Sequence, residues 1–348
     1  MNARPFPVSD PSLDAATGAL LGACVGDAAG APLEFLGRAP SEAEVERACA
    51  MPGGGPLGLA PGQITDDGEL TLCLARALAT SERFELERIA RSYADWIASA
   101  PFDLGETTRL SLGATREEVW REASVSRGLA AVMTKAAAER CMASKANGSL
   151  MRATPLGVFG RCLADEGVAA IAMADSNLSH PNPTCGQAVA CYSLAIAELV
   201  RSPGSRERAF LRAEAWAARE AGDEVRGWLE EARQGRPVPY YPMAGFVRIG
   251  FTHAFRHLLR GSSYEEAIVE TLKGGGDTDT NACIVGGLIG AAVGASAIPR
   301  AMAEAVLSCE TRRGRPRPDF LSSRQLFDLA LRLWQNAPSE SAGTAPAG

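Results

Sequence analysis

The sequence holds no apolar run of bilayer-spanning length, no dense lysine or arginine tract, and no cysteines spaced as CxxC. Each absence removes a class of protein. A membrane-spanning helix needs about 20 consecutive apolar residues, and the nearest approach, 282–297, is so rich in small residues that it reads as a buried helix. A net charge of −6 without a basic tract argues against nucleic acid as a partner. The arginines of 311–320 are broken by prolines and read as a solvated loop. Nine cysteines, an odd number without regular spacing, make neither a disulfide framework nor a zinc site. Cys24, Cys73, Cys191 and Cys283 fall inside apolar runs, the usage of reduced, buried thiols in a cytoplasmic protein. The N-terminus lacks the apolar core of a secretory signal.

Strand-like alternation is almost missing as well, and alanine- and leucine-rich periodic segments take its place. Helices are predicted over 13–29, 67–80, 86–98, 106–120, 128–140, 149–159, 165–176, 183–200, 206–234, 243–259, 264–273, 281–294 and 323–335. Candidate caps include Thr65 or Asp66, and Ser262 or Ser263. Glycine and proline collect in loops at 51–62 and 233–242. With 46% hydrophobic residues in 348, the chain can bury a large core. No fixed-period repeat or shift in composition divides it, so the expected fold is all-α: one helical domain over 13–336, a flexible N-terminus over 1–12 and a disordered tail over 337–348.

Five short stretches combine reactive polar groups with glycine at predicted helix ends. The most informative is GGGDTDTN, 274–281, where Asp277 and Asp279 alternate with Thr278 and Thr280 before an apolar helix. In an extended segment, residues two apart face the same side. Two carboxylates aimed at one point beside apolar sequence call for a hard cation such as Mg²⁺ or Mn²⁺, although a helix cap or turn explains them equally well. ITDDGEL adds Asp66 and Asp67, either a second acidic ligand pair or a helix start complementing the macrodipole, with Gly68 suggesting close backbone approach. GACVGDAAGAPLEF places Asp27 and Glu34 among small residues that permit close packing, with Asp27 readable as a cap. PFDLGETTR puts Asp103 ahead of an acidic first turn. SKANGSLMR has Asn147, Gly148 and Ser149 opening a helix whose free N–H groups suit a phosphate. Arg152 there either adds charge or forms an ordinary ion pair, and His180, one of only three histidines, is readable as a structural hydrogen-bonder.

Charge joins these pieces. Asp66, Asp67, Asp277 and Asp279 together carry −4, which two divalent cations neutralise; without them the carboxylates repel and their pKa values rise. Two ions about 3.5–4 Å apart can clamp a substrate oxygen and generate hydroxide near neutral pH. From the residues alone the chain is an oxygen-ligated metal hydrolase with an anion-binding helix end, its substrate open.

The same stretches, in order as GDAAGAPLE, TDDGEL, DLGETT, NGSLMR, SHPNP and GGDTDTNACIVGGLIGAAVG, resemble the ADP-ribosylglycohydrolase family from about residue 13 to 299. The resemblance implies an all-α domain with a binuclear Mg²⁺ or Mn²⁺ centre that removes ADP-ribose from modified side chains. It implies Thr65, Asp66, Asp67, Asp277, Asp279 and Thr280 as metal ligands, and Glu34 and Asp103 as the acids beside the scissile bond. It implies Asn147, Gly148, Ser149, Arg152, His180 and Phe246 around the ADP-ribose. Two positions depart from the family pattern: Gly68 replaces the last threonine of TDDT, and Glu106 replaces an asparagine. The activity so implied is hydrolysis of ADP-ribose from protein, arginine-linked first. The alternatives are serine-, nucleic-acid- or small-molecule-linked ADP-ribose, or a non-catalytic binder. The expected partner is an ADP-ribosylated protein, with ADP-ribose as product and the chain itself a monomer.

Overall fold

Glycines recur every fourth residue at 18, 22, 26 and 30 of the first helix, so all four lie along one face. In the computed structural model, which describes residues 9–34 and 36–338, that face packs against the helix carrying GGLIG near the other end of the chain. A Cβ added at Gly18, Gly22, Gly26 or Gly30 would collide with the backbone of Gly290, Gly286, Ala282 or Thr278 respectively. The partners step backwards as the glycines step forwards, so the helices are antiparallel. The last turn of one lies beside the first turn of the other.

Seventeen α-helices occur among the described residues. In chain order α1 to α6 are Pro11–Gly30, Glu42–Cys49, Asp66–Leu78, Leu86–Ala98, Glu106–Ser111 and Glu118–Arg127. Then α7 to α12 are Leu129–Arg140, Thr154–Phe159, Asp165–Asn177, Pro183–Arg201, Arg206–Glu220 and Asp223–Arg233. Finally α13 to α17 are Val247–Arg260, Tyr264–Gly274, Thr278–Val293, Arg300–Ser308 and Leu326–Gln335. The only pairings of strand type among the described residues are two isolated bridges, Gly54 with Leu59 and Ala146 with Phe246. The fold is all-α, as expected.

Helices α1, α10 and α15 are buried along most of their length and form the centre. Helices α3 and α8 are also buried almost throughout, whereas α4, α11, α12 and α17 bury one apolar face and α6 buries no side chain. Local signals set many of their ends. Asp10 caps α1 by accepting from the N–H groups of Ser12 and Leu13 at 2.8 and 3.0 Å, one residue before Pro11. Ser263 and Glu266 form a capping box on α14, and α13 stops at Gly261 with φ +70°.

Several predicted boundaries move. The helix predicted over 206–234 is two, because Ala221 is extended and the Gly222 N–H is held by the Gln187 side chain at 3.0 Å. The one predicted over 106–120 is broken by a 3₁₀ turn, Leu112–Arg116. Helices α2, α16 and most of α6 lie outside the predicted ones: α2 and α16 are short and bury only two or three apolar side chains and α6 buries none, too few to make a periodic signal. All nine cysteines are free thiols. No helix among the described residues is long and apolar enough to cross a membrane. Of the segments expected to be flexible, 1–8 and 339–348 lie outside the described residues, while α1 already begins at Pro11.

Filling the α1–α15 seam tests its weight. Gly22→Val should destabilise the protein by at least about 2–3 kcal/mol, because backbone rather than a movable side chain occupies the space. Gly227→Ala, on exposed α12 with nothing within reach of the new methyl, should stabilise by about 0.5–1 kcal/mol. Urea denaturation of both variants measures the difference.

Candidate active site

The antiparallel seam brings the acidic end of α1 to the acidic start of α15. Asp27 lies one turn before Gly30, wholly buried, and reaches across to the first turn of α3. Its carboxylate accepts from the Thr65 N–H at 2.9 Å, the Thr65 hydroxyl at 2.8 Å and the Gly68 N–H at 2.8 Å. Thr65 occupies the N-cap of α3 without a capping bond of its own, so Asp27 supplies the cap from another helix. A Cβ at residue 68 would stand 2.7 Å from Asp27 Oδ2 and 2.8 Å from the Ile64 Cβ. Gly68 is therefore the residue that lets this carboxylate close on the helix end. Glu106, the other departure from the family pattern, lies at an exposed helix start facing Arg109 at 4.0 Å.

Seven carboxylates meet here from five segments. Acceptor oxygens of Asp27, Asp67 and Asp279 lie within 4.8 Å of one another, as do those of Glu34, Asp277 and Asp279. Asp66 begins α3, and Asp103 sits half-buried on the loop after α4. The Thr65 hydroxyl lies 3.2 Å from Asp67 Oδ2, and that of Thr280 lies 3.4 Å from the same oxygen. Asp279 Oδ1 accepts from the Thr280 N–H at 2.9 Å. Glu34 Oε2 and Asp67 Oδ1 are buried with no hydrogen-bond partner among the described residues. Such orphaned carboxylate oxygens are rare unless something else satisfies them. Both acidic pairs stand at helix N-termini, whose partial positive charge suits them but falls well short of neutralising them.

The electrostatics follow from this crowding. Burial, then the neighbouring carboxylates, pushes Asp66, Asp67 and Asp279 well above the usual carboxylate range. Burial also raises Glu34 to about 9, with Asp103 and Asp277 adding to it. Asp27 rises to about 7, burial outweighing its bonds from Thr65 and Gly68. Asp103 is raised by burial and by Asp277, against a bond from the Leu104 N–H. The largest charges acting on Asp66, Asp67 and Asp279 are other carboxylates. Hard oxygen donors with orphaned atoms and no basic neighbour fit Mg²⁺ or Mn²⁺.

Beside the acids runs a second wall. Asn147 donates from Nδ2 to Asp277 Oδ2 at 2.8 Å, and its N–H donates to the Gly245 carbonyl at 3.1 Å. That bond belongs to the Ala146–Phe246 bridge, which sets Phe246 edge-on to Trp228 with centroids 5.5 Å apart. Residues 147–152 are turns, and the helix expected to open at Ser149 begins at Thr154. Gly148 fits under His180, whose Cε1 would lie 2.8 Å from an added Cβ. Burial and Arg152 hold the His180 pKa down at about 3, so the ring is neutral; its Nδ1 pairs with the Ser179 hydroxyl at 2.8 Å.

Two side chains expected to meet the ligand are spent internally. Arg152 is fully buried, pairs with Asp175 at 3.1 Å, donates to the Gly148 carbonyl at 3.0 Å and lies over the Tyr93 ring. A buried guanidinium requires such partners, so Arg152 shapes the loop instead of presenting charge to a phosphate. The Ser149 hydroxyl, also buried, accepts from Ser176 at 3.0 Å. Sequence reasoning left Asp27 as a cap. The available signal was an acid within a run of small residues on a helix that had to be buried.

The acidic cluster sets a pH dependence. Carboxylates with folded pKa values above the ordinary 4 or so bind more protons folded than unfolded, so rising pH destabilises the fold until the folded pKa is passed. The depressed values of His180, about 3, and His257, about 4, act with the opposite sign, but only below about 6.5. Between about pH 7 and 9, therefore, the metal-free melting temperature should fall as Glu34 ionises. Thermal melts in chelator should show this slope, and Glu34→Gln should make it shallower, the other raised carboxylates keeping the remainder.

Comparison with known proteins agrees with this architecture. Residues 9–342 match the family model for ADP-ribosylglycohydrolase. An ADP-ribosyl glycohydrolase candidate of Acanthamoeba polyphaga mimivirus is 30% identical over 85% of this chain and 91% of its own. The ADP-ribosyl-[dinitrogen reductase] glycohydrolase of Rhodospirillum rubrum is 28% identical over 84% and 90%. ADP-ribosylarginine hydrolase Tri1 of Pseudomonas putida is 27% identical over 85% and 75%. A solved ADP-ribosylglycohydrolase-related protein complex superposes with a TM-score of 0.70 at 25% identity, covering 94% of this chain and 99% of that one. With the family model spanning nearly every residue and the acidic blocks gathered at one point, the chain belongs to the ADP-ribosylglycohydrolase family.

Proposed function

We propose that the chain is a metal-dependent hydrolase that cleaves the bond between ADP-ribose and a protein side chain, with arginine as the side chain. The observation carrying this is the convergence of Asp27, Glu34, Asp67, Asp277 and Asp279 within ligating distance, with one oxygen each of Glu34 and Asp67 left without a hydrogen bond among the described residues. The relatives named for dinitrogen reductase and for ADP-ribosylarginine point to protein-linked, arginine-type substrates. Asp66, Asp67, Asp277 and Asp279, with the hydroxyls of Thr65 and Thr280, would hold two Mg²⁺ or Mn²⁺ ions. Such ions, when bound, neutralise the acids and supply electrostatic stabilisation of charge developing on the substrate.

The remaining roles belong to the chain's own groups. Asn147 fixes Asp277, and the turn through Gly148 and Ser149 offers backbone to the ADP-ribose phosphates. Neutral His180 and the Phe246 ring flank it, while Arg152 keeps Gly148 in place from below. Hydrolysis adds one water across the bond: hydroxyl to the anomeric carbon and a proton to the departing guanidine nitrogen. Asp103 and Glu34, half-buried at the edge of the cluster, are the carboxyls placed to take and return that proton. Substrate enters as a modified protein and leaves as free side chain and ADP-ribose.

Incubating the protein with Mg²⁺ and arginine-ADP-ribosylated protein should release ADP-ribose, with serine-linked substrate in parallel to separate the linkages. Asp277→Ala and Asp279→Ala should each lose metal binding by calorimetry, and release should drop by more than about 100-fold, beyond what outer partners of metal ligands contribute. Undiminished activity in excess chelator, or in either variant, would refute the reading.

A further inference from the structure

Arg317 lies in the proline-broken segment expected to be a solvated loop, yet its side chain is only 5% exposed. It forms a fork-to-fork pair with Glu69, Nε to Oε1 at 2.7 Å and Nη2 to Oε2 at 2.9 Å. Nη1 donates to the carbonyls of Ser99 and Ala100 at 2.9 and 3.2 Å, and Nη2 also donates to Ser99 Oγ at 2.8 Å. All five guanidinium protons are thereby used. The ring of Phe102 lies 5.8 Å away.

What this clamp joins is specific. Glu69 is on the first turns of α3, three residues after Asp66, and its Oε2 accepts a further bond from Trp96 Nε1 at 2.7 Å. Ser99 and Ala100 directly follow α4, and Ala100 has φ +53°, a left-handed conformation that a residue bearing a Cβ adopts only when its surroundings hold it. Directly after it come Pro101, Phe102 and Asp103. The Arg317 segment is itself tied down, because Gln63 accepts from the Arg315 N–H at 3.0 Å and donates to its carbonyl at 2.6 Å.

We propose that Arg317 is a positioning residue, which locks the strained turn at Ala100 to the carboxylate-bearing end of α3 and so fixes where Asp103 stands over the acidic cluster. This rests on Asp103 being the proton-handling group of the proposed hydrolase. Arginine is required because only its planar fork reaches two carboxylate oxygens and two carbonyls together; lysine keeps the charge and loses that geometry.

Arg317→Lys in the full chain is the test. Its kcat on arginine-ADP-ribosylated protein should fall about 10- to 100-fold, the scale of a small misplacement of a reacting group. KM and Mg²⁺ affinity by calorimetry should stay within about twofold. In an Asp103→Asn background the same change should add no further loss, since both act through one carboxyl. Independently of activity, hydrogen–deuterium exchange of the 99–104 amides should quicken at least about tenfold while the α1–α15 seam is unaffected. Ser99→Ala, which spares the Glu69 pair, should produce the same changes at smaller amplitude and replaces Arg317→Lys if that variant does not fold. Unaltered exchange over 99–104, an equal loss with and without the Asp103 carboxylate, or a loss seen in KM or metal affinity instead, overturns the proposal. A wild-type protein that releases ADP-ribose from no linkage shows that the functional reading has failed; the exchange measurement then still decides whether Arg317 holds the turn.

Discussion

Backbone-to-backbone contact between α1 and α15 is the constraint on which the rest depends. Where Cβ atoms normally keep helices 8–10 Å apart, four glycines on one face and Gly286 and Gly290 on the other remove the spacers. The Tyr264 hydroxyl donates to the Gly22 carbonyl at 2.6 Å from α14, and the Thr278 hydroxyl donates to the Gly30 carbonyl at 2.8 Å. The seam is largely apolar along its length, Asp14 accepts from the Ser296 N–H and hydroxyl at one end, and the acids collect at the other. Close packing thus serves two purposes: it fills the core at high density, and it leaves the two acidic segments no room to part.

The second theme is deliberate electrostatic tension. Buried carboxylates are tolerated when paired or ligating, and here each finds only part of what it needs. Asp27 is satisfied by capping α3, Asp277 is steadied by Asn147, and Asp279 bonds the next N–H in its own helix. The oxygens left over point at one another. Such a site would favour positive charge, and the seam is what holds its carboxylates together. The same frame carries the clamp at Arg317, which fixes one more acid relative to the others through a distant part of the chain.

Much of this was legible in the residues. All-α character followed from periodic apolar spacing and scarce alternation, and the helix start at Tyr264 from its capping serine. TDD and DTDT were readable as acidic helix starts because carboxylates, glycine and hydroxyls seldom alternate beside apolar sequence without a reason. Misreadings occurred where a side chain's fate depended on a remote partner. Arg317 looks like a solvent-facing charge, yet Glu69 draws it inside; of the two readings open for Arg152, the ion pair holds, with Asp175 as partner. Ser149 looked like a helix opening, but pairing of 145–147 with 245–247 holds that stretch in turns.

Local propensity, periodicity and caps depend on neighbours a few residues away, so the sequence by itself determined the helical class, most helix positions and which acids were candidates. Tertiary structure alone decided that Asp27 serves α3, that Asp279 stands between two groups of carboxylates, and that two arginines face inward. These outcomes rest on contacts between segments tens to hundreds of residues apart, whose pairing is selected by how whole helix faces fit and by which buried charges can find partners. No window along the chain contains that information.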